Sequence, residues 1–283
     1  MIYFKQVTAK EPHPIGLEAF GHLDCTSITW LAGAGFLINS RGTVIFIDPV
    51  LMTKQDDTSV SEIGMKLKVA YPILADKVPK ADYVLYTHSD IDHMGPMTAK
   101  ALARLKPMFI GPHPVYYKLT KSGVDPQLVE VCREGDPFNM GQIAVEVTPA
   151  DHPWQLQDPA RCGKPFRPGD CCGFILNTPD GRIYLPGDTR IMEEHLRIRD
   201  IDVLALDVSM CAYHLNHPAA ILLANNNPDA LIIPLHYGTY DKPDKGAHSG
   251  DPLDVFAHIS NAANRALLPA PGEQVFIRNG KKI

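Results

Sequence analysis

The sequence predicts an α/β protein in which two β-sheets lie between layers of helices, in a single domain spanning residues 1–283. Three observations predict it. Each half of the chain opens with short β-branched segments joined by tight turns. Each then continues with apolar strands alternating with helical segments. No self-similarity with a period of about 20 to 50 residues points to a solenoid instead.

The elements follow in order. Residues 27–31, 35–39 and 43–48 are short, rich in β-branched or aromatic side chains and bounded by Gly, Ser or Pro, and Arg41-Gly42 supplies a hairpin turn between the last two. Residues 82–86 read as a strand buried on both faces. Helical character follows over 96–105, with Pro96 suited to the first turn. A strand at 108–110, a helix at 114–121 and an alternating strand at 143–148 come next. Residues 172–177 and 182–185 flank the turn Thr178-Pro-Asp-Gly181, a second hairpin signal. Strands at 203–207 and 230–235 and helices at 218–225 and 252–264 complete the pattern. No Ser/Gly-rich linker interrupts it, so residues 154–170 read as a long surface loop beside a site.

Composition narrows the function classes. With 45% apolar and 21% charged residues, the chain can bury a substantial core. A net charge of -5 without a long basic run argues against an extended nucleic-acid surface. Met1 to Val7 lack the charged head and apolar core of a secretory signal, and no stretch reaches the roughly 18 apolar residues of a membrane helix. A soluble, cytoplasmic protein is expected, without a membrane partner and with a homo-oligomer as one available state. The six cysteines form no C-x-x-C pair, which sets a zinc ribbon aside.

Histidine and aspartate recur at strand ends. His88, Asp90, Asp92 and His93 follow the strand ending at Tyr86; Asp151 and His152 follow the strand ending near Thr148; Asp188 follows Leu185; His236 follows Leu235. One such residue is commonly a surface or helix-capping group. Four clusters past the carboxyl ends of apolar strands stand where an α/β architecture places its ligands. Imidazole and carboxylate are ligands for zinc, manganese and iron. In an extended turn His88 and Asp90 can face one way while Asp92 and His93 bend towards a second point, with Asp188 between two ions.

The run His88-Ser-Asp-Ile-Asp-His93, followed by His152, Asp188 and His236, resembles the H-x-H-x-D-H signature and the distant His, Asp and His of the metallo-β-lactamase superfamily. The likeness runs from about Ser27 to His236. Residues 30–38 followed by Ile47-Asp-Pro49, and Phe109-Ile-Gly-Pro112, are similar to the ascorbate-phosphate lactonase-like group within it. The resemblance implies a four-layer αβ/βα sandwich of two mixed β-sheets flanked by helices. By position, it implies His88, Asp90 and His152 on a first metal, Asp92, His93 and His236 on a second, and Asp188 on both. Asp90 departs from the signature, which has histidine there. Its harder oxygen favours manganese or iron relative to zinc, or leaves a single ion bound; two divalent ions are expected.

The implied activity is hydrolysis by hydroxide formed on those ions. Asp92 and Asp188 are the catalytic candidates, Asp92 orienting the nucleophile and relaying a proton. No G-x-S-x-G elbow offers a serine nucleophile. Arg190, His214, His217 and Tyr237 are candidate substrate contacts, each with a competing role in packing, capping or surface ion pairing, and Trp154 is a pocket wall or a loop anchor. The leading substrate is a lactone or similar ester of a small metabolite, with or without a phosphate group. A phosphodiesterase of nuclease or phospholipase type is the alternative enzyme, and a non-hydrolytic redox or sensor protein is the alternative from another class.

Overall fold

In the computed structural model of the chain, which describes residues 6–242 and 248–283, the first sheet is set by the turn at Arg41-Gly42. Both residues have positive φ, 53° and 96°, as a two-residue hairpin turn matched to the strand twist requires. Thr26–Trp30 (β1) and Phe36–Ser40 (β2) pair antiparallel, and the turn joins β2 to Thr43–Ile47 (β3). Tyr83–Leu85 (β4), Met108–Gly111 (β5) and Val129–Val131 (β6) then extend the sheet in parallel from β3.

The second sheet has the same construction. Phe138–Met140 (β7), Ile143–Pro149 (β8), Cys172–Thr178 (β9) and Gly181–Leu185 (β10) are antiparallel neighbours. Val203–Asp207 (β11) and Leu231–Leu235 (β12) add on in parallel. The chain ends by returning to the first sheet, where Gln274–Arg278 (β13) pairs with β1 and carries Lys281–Lys282 (β14) at the edge. The strand orders are β14-β13-β1-β2-β3-β4-β5-β6 and β12-β11-β10-β9-β8-β7, both mixed, as expected.

Helices cover the sheets. Pro96–Ala103 (α1) starts at a proline, and the carboxylate of the distant Glu62 takes the free N–H groups of Met97 and Thr98 in place of a local cap. His113–Lys121 (α2) packs on β5 and β6. The short Pro159–Cys162 (α3) lies in the expected loop 154–170, and Glu193–Arg197 (α4) and Asn216–Asn226 (α5) rest on β8 and β11. Strands β1, β2, β11 and β12 are buried along their whole length, between helices and the opposite sheet, and one continuous apolar cluster runs through both sheets. On β8 the pattern alternates, with Ile143, Val145 and Val147 inward and Ala144 and Glu146 outward. The two hairpin tips are tied together: Arg41 Nη2 lies 2.8 Å from buried Asp180 Oδ1, and Thr26 Oγ1 donates to Asp180 Oδ2 at 2.9 Å.

One expected element is interrupted. The helix at 252–264 is two pieces, Pro252–Phe256 (α6) and Ala262–Arg265 (α7). Asn261 between them is left-handed (φ 54°), and Asn225 Oδ1 on α5 takes the Ser260 N–H at 2.7 Å, which draws the chain out of helical register. The expectation about a secretory signal falls mainly on residues 1–5, outside the described residues. Among the described residues no helix is long and apolar enough to cross a membrane.

Candidate metal centre

Six strand ends deliver acidic or imidazole side chains to one place. Asp48 follows β3, the turn 87–93 follows β4, His152 follows β8, Asp188 follows β10, Asp207 closes β11 and His236 follows β12. Close approach at Gly187 brings two of these ends together. Its φ is 68°, and a Cβ there would lie 2.8 Å from both Cys172 O and Thr87 Cβ, so only glycine allows the Asp188 turn to sit against the His88 turn. Two positions at these strand ends are themselves strained, with φ of 47° at Asp48 and 61° at His236.

The hydrogen-bond network fixes how the imidazoles are presented. His152 Nδ1 lies 2.9 Å from the Tyr213 carbonyl, which only accepts, so Nδ1 carries the proton. Thr87 Oγ1 donates to Asp48 Oδ2 at 2.6 Å and must therefore accept from His88 Nδ1 at 3.0 Å. His93 Nδ1 donates to Asp48 Oδ2 at 2.9 Å, and His214 Nδ1 to Asp207 Oδ2 at 2.6 Å. In all four rings the outer nitrogen is held by an acceptor and Nε2 faces inward, the arrangement by which outer partners orient metal-ligating histidines.

Asp188 is the hub those nitrogens face. Its Oδ2 lies 3.0 Å from His93 Nε2, 3.5 Å from His214 Nε2, 3.6 Å from His152 Nε2 and 3.9 Å from His88 Nε2, and its Oδ1 lies 3.7 Å from His236 Nε2. Asp90 Oδ2 stands 3.4 Å from His88 Nε2 and 3.6 Å from His152 Nε2. Asp92 Oδ2 takes His248 Nε2 at 3.2 Å. Three sets could each hold a cation, with donor atoms within 4.8 Å of one another: His88, His152 and Asp188; Asp92, His93 and His236; and Asp188, Asp207, His214 and His236.

Burial and charge compete here. Burial favours the neutral ring of His93, but the carboxylates of Asp188 and Asp48 outweigh it and hold its pKa well above the ordinary histidine value. Burial likewise opposes charge on His214, yet Asp188 and Asp207 raise it to about 10. Burial pulls His236 down to about 4. Asp188 is held well below the carboxylate range, against burial, by His214, His236 and His93.

The donor set fits divalent transition-metal ions. His88 Nε2 and Asp188 Oδ1 are buried without a hydrogen-bond partner and point into the cluster. An orphaned buried lone pair is costly unless a cation or donor meets it. Nitrogen and oxygen donors in this mixture suit zinc, manganese or iron. The centre opens into a cleft of about 450 Å³ whose wall includes Met65, Ile91, Lys118, Trp154 and Cys211. A second cleft, of about 510 Å³, lies by the opposite ends of β4 and β5 and is lined by Asp82, Lys106 and Glu130 with no imidazole.

Residues 43–237 match a family model described as the beta-lactamase superfamily domain, and the aspartates and histidines of the cluster fall within that span or just beyond it. The chain belongs to the metallo-β-lactamase superfamily. A UPF0173 metal-dependent hydrolase from Anaeromyxobacter sp. (strain K) is 27% identical over 262 residues, covering 88% of this chain and 86% of that protein. Among solved structures, Igni18, a metallo hydrolase from Ignicoccus hospitalis KIN4/I, superposes with a TM-score of 0.62 at 21% identity, over 89% of this chain and 98% of that one. The isothiocyanate hydrolase from Delia radicum gut bacteria gives 0.66 at 17% identity, over 88% and 98%. These two likenesses show the metallo-β-lactamase fold.

All seven residues expected as ligands, His88, Asp90, Asp92, His93, His152, Asp188 and His236, stand at this centre. His214, expected as a substrate contact, also lies on its floor. Three other expected contacts are placed elsewhere, and none lines the cleft. Arg190 is paired with Asp151 at 2.5 Å on the surface. His217 Nε2 lies 3.1 Å from the Val208 carbonyl. Tyr237 stacks on Trp30, ring centroids 4.8 Å apart and planes 11° apart. Asp48, Asp207 and His248 are site residues that the sequence reading does not single out. Asp48 and Asp207 end apolar strands, the same signal that marks the others.

Proposed function

We propose that the chain hydrolyses a lactone or carboxylic ester of a small metabolite on two divalent transition-metal ions, manganese or zinc. The coarser class, a metal-dependent hydrolase of the metallo-β-lactamase superfamily, follows from family membership and the curated relatives that carry that name. The observation that carries the two-ion reading is Asp188, one carboxylate faced by five imidazole Nε2 atoms. His88, Asp90 and His152 would hold one ion, Asp92, His93 and His236 the other, and Asp188 both. Ions held there would supply water of lowered pKa and a positive charge for the oxygen of the bond under attack.

The chain's own groups do the rest. Asp92 faces the cleft with Oδ2 against His248 Nε2, which suits the pair to orient the attacking water and take up its proton. His214, anchored by Asp207, aims Nε2 at the same floor and can donate a hydrogen bond to substrate oxygen. A volume of about 450 Å³ suits a small molecule. Lys118 is on the wall as well, and its Nζ donates to the Ser89 carbonyl at 2.5 Å.

A screen of lactones, carboxylic esters, phosphodiesters and phosphomonoesters, with manganese and with zinc, tests this. Turnover concentrated in lactones or esters is expected. Turnover confined to phosphodiesters would replace the carbonyl reading.

A further inference from the structure

The position at which this chain departs from its superfamily has a partner of its own. Trp154 Nε1 donates to Asp90 Oδ2 at 2.5 Å, and that same oxygen faces His88 Nε2 and His152 Nε2. We propose that Trp154 is a positioning residue: its indole N–H fixes the Asp90 carboxylate against the His88–His152 half of the centre and so sets the affinity of that half for its ion. This rests on the reading of the cluster as a metal centre.

The chemistry of the pair is matched. Ionised carboxylate only accepts and indole only donates, so a single N–H pins one oxygen and fixes the carboxylate plane. Histidine in place of Asp90, with Nε2 turned to an ion, would present Nδ1–H to the indole and leave two donors facing each other. Trp154 therefore fits aspartate here and not the histidine of the signature.

The indole is also anchored to the ligands it serves. The Trp154 backbone N–H donates to the His152 carbonyl at 2.9 Å, and a single 3-10 turn runs over Trp154–Gln157. Buried Gln155 accepts the Phe166 N–H at 3.1 Å, which folds the loop back. The Phe166 ring then lies edge-on to His88 at 5.8 Å and stacks on His152 at 6.3 Å. Trp154 and Phe166 thus tie the loop to the same two histidines that share Asp90, so displacing the indole disturbs that half of the centre first.

The test is calorimetric titration of chelator-stripped protein with Mn2+ and with Zn2+ alone, for wild type, Trp154→Phe, Trp154→His, Asp90→Ala and the Asp90→Ala/Trp154→Phe double variant, with circular dichroism to verify folding. Trp154→Phe is expected to weaken one of two binding steps by about 10- to 100-fold and to leave the other within about threefold. Trp154→His, which keeps a ring N–H, should recover part of the loss. In the Asp90→Ala background, which offers the indole no acceptor, Trp154→Phe should change affinity by less than about threefold. Wild-type affinities for both ions in folded Trp154→Phe would overturn the inference, as would a loss of the same size with and without Asp90. Absence of ion uptake by the wild type would overturn the metal-centre reading itself, a distinct result.

Discussion

Nε2 of His236 stands 3.1 Å from Nε2 of His93, both rings fully enclosed. Nδ1 of His93 is held by Asp48, so the inward nitrogen of each ring is the one the other meets. A proton can lie between them, but so can a cation bound by one or both, and Asp92 and Asp188 supply the negative charge that a cation would need. Facing imidazole nitrogens beside buried carboxylates are the arrangement expected of a metal centre.

Asp188→Ala removes the carboxylate common to both halves. Turnover is expected to fall by more than about 100-fold, the upper range for losing even an outer-shell partner. Metal content by elemental analysis should fall with it, while circular dichroism stays unchanged. Near-normal turnover would remove Asp188 from the bridging role.

Asp48 lies behind His93 and, on the ligand assignment above, touches no ion. Asp48→Ala leaves His93 Nδ1 and the Thr87 N–H and hydroxyl without their acceptor. Metal affinity, measured by competition with a chelator, is expected to drop about 10- to 100-fold. An unchanged affinity would make Asp48 a packing residue.

Protons and metal compete for the same nitrogens. His93 is held well above the ordinary histidine pKa and His214 at about 10, so in metal-free protein both are protonated near neutrality. An ion on His93 Nε2 must displace a proton, so affinity should rise with pH and weaken in acid, with proton release visible as buffer-dependent binding enthalpy. The stability consequence has the opposite sign. The folded pKa of His214 exceeds the unfolded value of about 6.5, so its charged form stabilises the metal-free fold fully below about pH 6.5. That contribution is lost as pH rises towards 10. Melting of chelator-treated protein should show a midpoint falling over this range; a flat profile contradicts the ion pairing.

Asp90→His replaces a hard oxygen with the nitrogen of the superfamily signature. The ratio of zinc to manganese affinity should rise, because imidazole suits zinc better than carboxylate does. An unchanged ratio would show that Asp90 does not set metal preference.

Much of this centre is legible in the residue order, for a physical reason. Parallel strands buried on both faces are continuous apolar runs, so a histidine or aspartate just past one is conspicuous, and β4, β10 and β12 each announce theirs. Asp48 and Asp207 are equally placed but read as the last residues of strands, because nothing local shows that Asp48 will meet His93 across 45 positions of chain. The indole of Trp154 reaches the centre through a loop, whose path depends on distant contacts such as Gln155 with Phe166. The same limit hides β6 and β7, only three residues each, and β13, whose partner β1 lies at the other end of the chain. The break between α6 and α7 comes from a side chain on α5.

Anomalous diffraction from crystals grown with Mn2+ tests the centre most directly. Two peaks are expected, one bounded by His88, Asp90 and His152 and one by Asp92, His93 and His236, with Asp188 reaching both. A map without a peak at this cluster, from protein that hydrolyses its substrate at full rate, would contradict it.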